Sequence, residues 1–221
     1  MKSGKKPHFL VWIIPVALIL AIGGTVFALL QKSEHLPVFQ PADFHPDLVD
    51  EQMQNIHSGH RVLNFSVIDQ NGDTITQETY RDKIYVANFF FTRCKTICPP
   101  MMHNMKILQD ALADDPGVML LSFSVTPVID SVPVLKKYAN DMGIIAQKWH
   151  ITTGDKKHIY NLARKSYFAA LDEGDGELQD FIHTEKFILV DKNRQIRGVY
   201  DGTLFDTPDR VLRDIRKLEQ E

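Results

Sequence analysis

Hydrophobic positions follow three different rhythms along the chain. The first is an unbroken run, since residues 9–30 carry no charged side chain. At 1.5 Å per residue a helix of that length reaches roughly 33 Å, enough to cross a bilayer. The second is irregular: residues 31–61 contain Pro37, Pro41 and Pro46 with His35, His45, His57 and His60, and no amphipathic period. They predict an extended, solvated linker and lead-in. The third begins near Val62, where short apolar runs alternate with helical spacing.

That third region predicts a single folded domain over residues 62–221. Residues 63–68 and Thr74-Ile75-Thr76 alternate apolar and polar positions about Asn71-Gly72, which signals a β-hairpin. Residues 84–91 are an uncharged run rich in β-branched and aromatic side chains, which reads as a buried strand. An amphipathic helix over 102–113 closes at Asp114-Asp115-Pro116-Gly117, and residues 118–125 form the next buried strand. Asp130 or Ser131 caps a helix with Pro133 in its first turn, running to Met142 and stopped by Gly143. A short strand at Trp149-His150-Ile151 precedes a helix over about 155–170. Residues 185–190 and 196–200 form a second hairpin around Asp191-Lys192-Asn193-Arg194, and Thr207-Pro208 opens a last helix to Leu218. The order hairpin, βαβαβα, hairpin, α predicts an α/β fold with a mixed sheet covered on both faces.

Charge sharpens the reading of the N-terminus. Lys2, Lys5 and Lys6 precede the apolar run and no basic cluster follows it closely, so residues 1–8 are expected in the cytoplasm and the rest outside. Phe27-Ala28-Leu29-Leu30-Gln31 offers no small-x-small cleavage site, which favours a retained transmembrane anchor over a signal peptide. The N-terminus also lacks the Arg- and Ser-rich character of an organelle transit peptide, so the expected setting is a bacterial cytoplasmic membrane with the domain in the periplasm. The exported part has 22 basic residues against 28 acids, which argues against nucleic acid as a partner.

Chemistry concentrates in Phe91-Thr92-Arg93-Cys94-Lys95-Thr96-Ile97-Cys98-Pro99-Pro100, which holds the only two cysteines of the chain. The prolines tolerate the first turn of a helix, where N–H groups are unpaired anyway, so the helix is predicted to begin at Pro99 or Pro100. Both cysteines then lie in a strand-to-helix loop at the positive end of a helix dipole, where thiolate is favoured over thiol. Thiolate binds soft metals and attacks disulfides; packing cysteines seldom cluster in such a place. Arg93 and Lys95 flank Cys94 and either depress its pKa or are simply solvated. Met101, Met102, His103 and Met105 follow in the first turns; transient metal contact is conceivable through soft sulfur, and packing is the plainer reading.

A second feature is the acidic, glycine-containing loop over 172–183. It lacks the ligand spacing of a calcium loop and reads as polar surface. His183, at its end, stands just before the strand of residues 185–190. In a thioredoxin-like sheet the segment entering that strand passes beside the cysteine loop, which would bring two thiolates and an imidazole together.

The membrane anchor, Phe91-Thr92-x-Cys94-x-x-x-Cys98-Pro99 and His183 ahead of an apolar strand ending in Val190-Asp191 resemble the SCO/SenC family of copper chaperones, over roughly residues 62–221. The resemblance implies a thioredoxin-like fold, copper as Cu(I) or Cu(II) bound by Cys94, Cys98 and His183, and assembly of the dicopper CuA centre in subunit II of cytochrome c oxidase or of another copper-enzyme client. Family members often carry Asp-Pro-x-x-Asp-Thr after the second buried strand, whereas this chain reads Thr126-Pro127-Val128-Ile129-Asp130-Ser131. Only the second acid is kept. Two thiolates and an imidazole suit copper by softness, while a structural zinc site would ask for a fourth ligand. An alternative class is a thiol–disulfide oxidoreductase working through Cys94 and Cys98. A third is an anchored structural partner of a respiratory complex, for which the cysteines would be dispensable.

Overall fold

The computed structural model describes residues 35–169 and 184–221. The expected first hairpin is present: β1 (Ser66–Asp69) pairs antiparallel with β2 (Thr74–Thr76). Asp69 fixes the turn, its Oδ1 accepting from the amides of Asn71 at 2.8 Å and Asp73 at 2.9 Å. Gly72 supplies the left-handed residue that such a turn needs, with φ of 90°.

Five more strands complete one mixed sheet. β3 (Ile84–Phe90), β4 (Val118–Ser124) and β5 (Trp149–Thr153) run parallel to one another, and β6 (Lys186–Val190) and β7 (Ile196–Asp201) form the closing antiparallel hairpin. The order across the sheet is β2-β1-β5-β4-β3-β6-β7, which puts β3 between β4 and β6. All seven residues of β3 are buried. Its alternate side chains serve two cores: Tyr85, Ala87 and Phe89 face one, while Ile84, Val86 and Phe90 face the other.

Helices α1 (Cys98–Ala111), α2 (Val132–Met142) and α4 (Thr207–Leu218) cover the second core, with Met101, Leu108, Leu135, Val211 and Ile215 packed into it. Gly143 ends α2 in the left-handed conformation, as its position predicts. Helix α3 (Lys156–Asn161) lies over the first core and departs from expectation. In place of one helix over 155–170, six α-helical residues pass into a π-helical segment, Leu162–Ser166. The wider winding, with the Tyr167 amide bonded to the Leu162 carbonyl at 2.9 Å, turns both Tyr167 and Phe168 into the core.

The lead-in also differs from expectation. From Leu36 onward the chain is laid against the domain rather than extended into solvent, and Leu36–Glu221 forms one compact unit. Two short 3-10 turns, Pro41–Asp43 and Pro46–Leu48, bond their own backbone, so an irregular path satisfies its polar groups without a regular element. Phe39, Phe44, Leu48 and Met53 pack onto the first core, and Phe44 meets Phe168 at 4.8 Å between ring centroids. His60, expected to be solvated, is buried and its Nε2 lies 2.9 Å from the Ser166 carbonyl, while His57 is exposed. These two histidines therefore do not form a metal pair.

The apolar run of residues 9–30 lies outside the described residues. Among the described residues no helix is long and apolar enough to cross a membrane.

Candidate metal centre

At the end of β3 the chain leaves the sheet in the loop 91–97 that carries Cys94. A buried carboxylate holds this loop from below. Asp130 accepts from the Thr92 amide at 3.1 Å and the Thr92 hydroxyl at 2.5 Å, and also from Ser124 Oγ at 2.6 Å and Thr126 Oγ1 at 2.9 Å. Thr126 stands where the family's first acid was expected; its hydroxyl donates to Asp130, where a second carboxylate would repel it.

Helix α1 begins at Cys98, slightly earlier than the prolines alone predicted. Its N-cap, Ile97, supplies no side-chain acceptor. The Cys98 amide donates instead to Cys94 Sγ at 3.3 Å, so sulfur meets one of the helix's orphan N–H groups. The Thr96 hydroxyl lies 3.7 Å from the same sulfur.

Both cysteines are free thiols, Cys94 partly exposed and Cys98 buried. Their acidities diverge accordingly. Burial works against ionising Cys94, but the backbone N–H groups of Cys98 and Thr96, helped by the Cys98 thiol and Thr96 hydroxyl, together bring its pKa down to about 7. For Cys98 burial wins: its pKa is pushed up to about 12, against a backbone bond from Phe91 and with further upward pushes from Cys94 and Asp130. The helix start thus activates the outer cysteine, whereas the sequence alone suggested both. Arg93 and Lys95 are exposed and are not among the causes of the Cys94 shift. That leaves the hydrogen bonds as its physical origin.

Met101, Met102 and Met105 are fully buried packing residues, and His103 is exposed. Tyr138 is a neighbour that the sequence reading missed. It stacks obliquely on Phe90 at 5.7 Å and, like Cys94, packs against the core cluster that contains Cys98; burial is the main cause of its raised pKa. The spacing Leu135, Tyr138, Ala139 and Met142 marks the inner face of α2, but nothing in the sequence says what that face meets.

Among the described residues no three His, Cys, Asp or Glu side chains are grouped to hold a metal. His183 lies outside the described residues. Where description resumes, Thr184 is buried and β6 starts at Lys186. The antiparallel register Ala87↔Ile188 brings the entry to β6 beside the cysteine-bearing end of β3.

Comparison with known proteins adds four findings. A protein-family model described as SCO1/SenC matches residues 54–220. The SCO1 protein homolog of Bacillus subtilis is 33% identical, the alignment covering 71% of this chain and 82% of that protein. Among solved structures, BsSco, a member of the Sco family of cytochrome c oxidase assembly proteins in which a disulfide switch was identified, superposes with a TM-score of 0.62 at 31% identity over 72% of this chain and 93% of that one. Bradyrhizobium japonicum ScoI with copper bound shares the fold at a TM-score of 0.57 and 22% identity, over 72% of this chain and 99% of that one.

Proposed function

This chain belongs to the SCO1/SenC family, and from that premise we propose that it is a copper chaperone in cytochrome c oxidase assembly. Copper is its cargo, bound by Cys94 and Cys98 with His183 as third ligand, and delivered to the CuA centre of subunit II. Residues 9–30 anchor it in a bacterial cytoplasmic membrane, with the domain in the periplasm.

The observation that carries this reading is the dithiol itself: a partly exposed sulfur poised near neutral pH, next to a buried one, on a loop braced by Asp130. Two soft donors suit Cu(I), and an outer thiol that ionises near neutrality releases its proton to an incoming metal at little cost. One accessible sulfur also gives a client's ligand a point of attack during hand-over. The copper carried by the Bradyrhizobium protein supports the choice of metal.

An anaerobic copper titration of the reduced protein, beside Cys94→Ser, Cys98→Ser and His183→Ala, tests the assignment. One copper per chain, weakened by all three substitutions, is the expected result. Copper binding indifferent to all three would overturn it.

The acidity difference favours a second reading, thiol–disulfide exchange. Here the Cys94 thiolate attacks a client disulfide and expels one client thiolate. Cys98, once deprotonated, then attacks Cys94 and expels the other, leaving a Cys94–Cys98 disulfide and a reduced client. The disulfide switch of BsSco is in keeping with it. Retention of client reduction in a His183→Ala variant that no longer holds copper would separate the two roles.

A further inference from the structure

The end of the sheet opposite the cysteine loop carries an open groove of about 410 Å³, lined by Arg61, Arg81, Lys192 and Arg194 with a single acid, Glu78. It forms where the lead-in crosses the β6–β7 turn. Val62 N donates to the Arg194 carbonyl at 2.8 Å, Arg61 Nη1 to the Asn193 carbonyl at 2.6 Å, and Arg194 Nη1 to Asn64 Oδ1 at 2.6 Å. In those three bonds the oxygens are neutral, so the two guanidinium groups are positioned without being neutralised. Two of the groove's cations meet acids, Arg81 pairing with Glu78 and Lys192 interacting with Glu219, so its positive charge rests on Arg61 and Arg194; Asp191, the acid at the turn, is held by Arg197 at 3.0 Å. Arg194 itself has φ of 63°, which fixes the turn that presents it.

The register sets where this groove lies. Tyr85↔Val190 puts the β6–β7 turn beside the start of β3, and Arg81 lies three residues before that start. The seven residues of β3 separate it from the cysteine loop by roughly 20 Å. The chain also enters the domain at this end, because Arg197 donates to the Leu36 carbonyl at 2.7 Å and the Pro37 carbonyl at 3.1 Å, and the Phe39 amide to the Ile196 carbonyl at 2.8 Å.

We propose that the groove is a seat for phosphate-bearing anions, and specifically for the phosphodiester headgroups of anionic lipids. The domain then rests on the bilayer by its basic end and turns the cysteine loop away from it. Guanidinium forks match phosphate oxygens in pairs, and each cation near an anionic surface contributes roughly fivefold in affinity. The choice of lipid over other phosphates rests on the reading that residues 9–30 anchor the chain.

The test uses the full chain with phosphatidylcholine vesicles, with and without phosphatidylglycerol, and reads acetylation of exposed Lys192 by mass spectrometry against exposed Lys95 in the cysteine loop. Phosphatidylglycerol should slow acetylation of Lys192 roughly fivefold and leave Lys95 unchanged. The protection should vanish at high salt and in the double variant Arg61→Gln with Arg194→Asn, which keeps a residue tolerant of the left-handed turn, and should persist in Arg194→Lys. Lys192 reactivity indifferent to phosphatidylglycerol would overturn the proposal, and equal protection by inorganic phosphate would overturn the lipid assignment. Flotation separates the two readings: a chain that floats only with phosphatidylglycerol vesicles keeps the groove and loses the anchor. One that floats with either lipid while Lys192 stays indifferent keeps the anchor and loses the groove.

Discussion

Each end of the sheet is organised by one buried charged side chain, and to opposite effect. At the cysteine end a buried acid, Asp130, is surrounded by hydroxyls and an amide, and the loop above it presents a partly exposed thiol held by weak hydrogen bonds. At the other end a buried cation, Arg197, is locked between Asp191 at 3.0 Å and Glu221 at 2.5 Å and ties down both the lead-in and the C-terminus. Neutral partners leave reactivity available nearby, whereas ionic partners fix geometry. Stability and chemistry should therefore respond to substitution at different ends.

The largest effect expected is at the fixed end. Arg197→Ala takes the ion-pair partner from Asp191 and Glu221 and the donors from the Leu36 and Pro37 carbonyls, and should lower unfolding stability in urea by about 3 to 5 kcal/mol, while the alkylation rate of Cys94 stays as it was. A Cys94 rate that changed with Arg197 would break the separation between the ends. Next is Asp130→Ala, which leaves the Thr92, Ser124 and Thr126 hydroxyls short of an acceptor; a loss of about 2 to 3 kcal/mol is expected in the same assay. Asp130→Asn should in addition lower the pKa of Cys98, since the carboxylate is one of the charges raising it, and thiol titration checks that direction.

A smaller effect concerns pH. Burial lowers the pKa of both His60 and His150 below the ordinary 6.5. The unfolded chain then binds protons at a pH where the folded one does not. Stability due to these neutral histidines is fully present above about pH 6.5 and is lost as pH falls from there toward the lowered folded values. Urea midpoints measured between neutrality and mild acid should fall, and less so in His60→Gln. The smallest expected change is in Thr96→Val, which removes one hydrogen bond from Cys94 Sγ. Its alkylation rate, with a wild-type midpoint at about pH 7, should shift upward by less than about one unit, and a downward shift would refute the hydrogen-bond account of that acidity.

Most of the regular fold was legible in the sequence because short-range signals specify it. Asn71-Gly72 placed one hairpin, Gly143 one helix stop, and the uncharged aromatic and β-branched run through residues 84–91 a buried strand. The lead-in was not legible, because Phe39, Phe44, Leu48 and Met53 follow neither a period of two nor one of 3.6, and packing along an irregular path leaves no periodic trace. The π-helical winding at Leu162–Ser166 is likewise a product of where Tyr167 and Phe168 must pack. For the site, cysteine spacing and the proline-marked helix start identified the loop. The unequal acidities follow from depth, which the sequence does not encode, and Tyr138 and Asp130 become neighbours of the thiols only through the crossing of α2 over the parallel strands.

Copper K-edge X-ray absorption on the loaded protein tests the central claim most directly, because it reads the donor atoms. The account predicts two sulfur donors and an imidazole in the wild type, and loss of the imidazole with both sulfurs retained in His183→Ala. A copper shell without the cysteine sulfurs, or one that keeps its imidazole when His183 is gone, would contradict it.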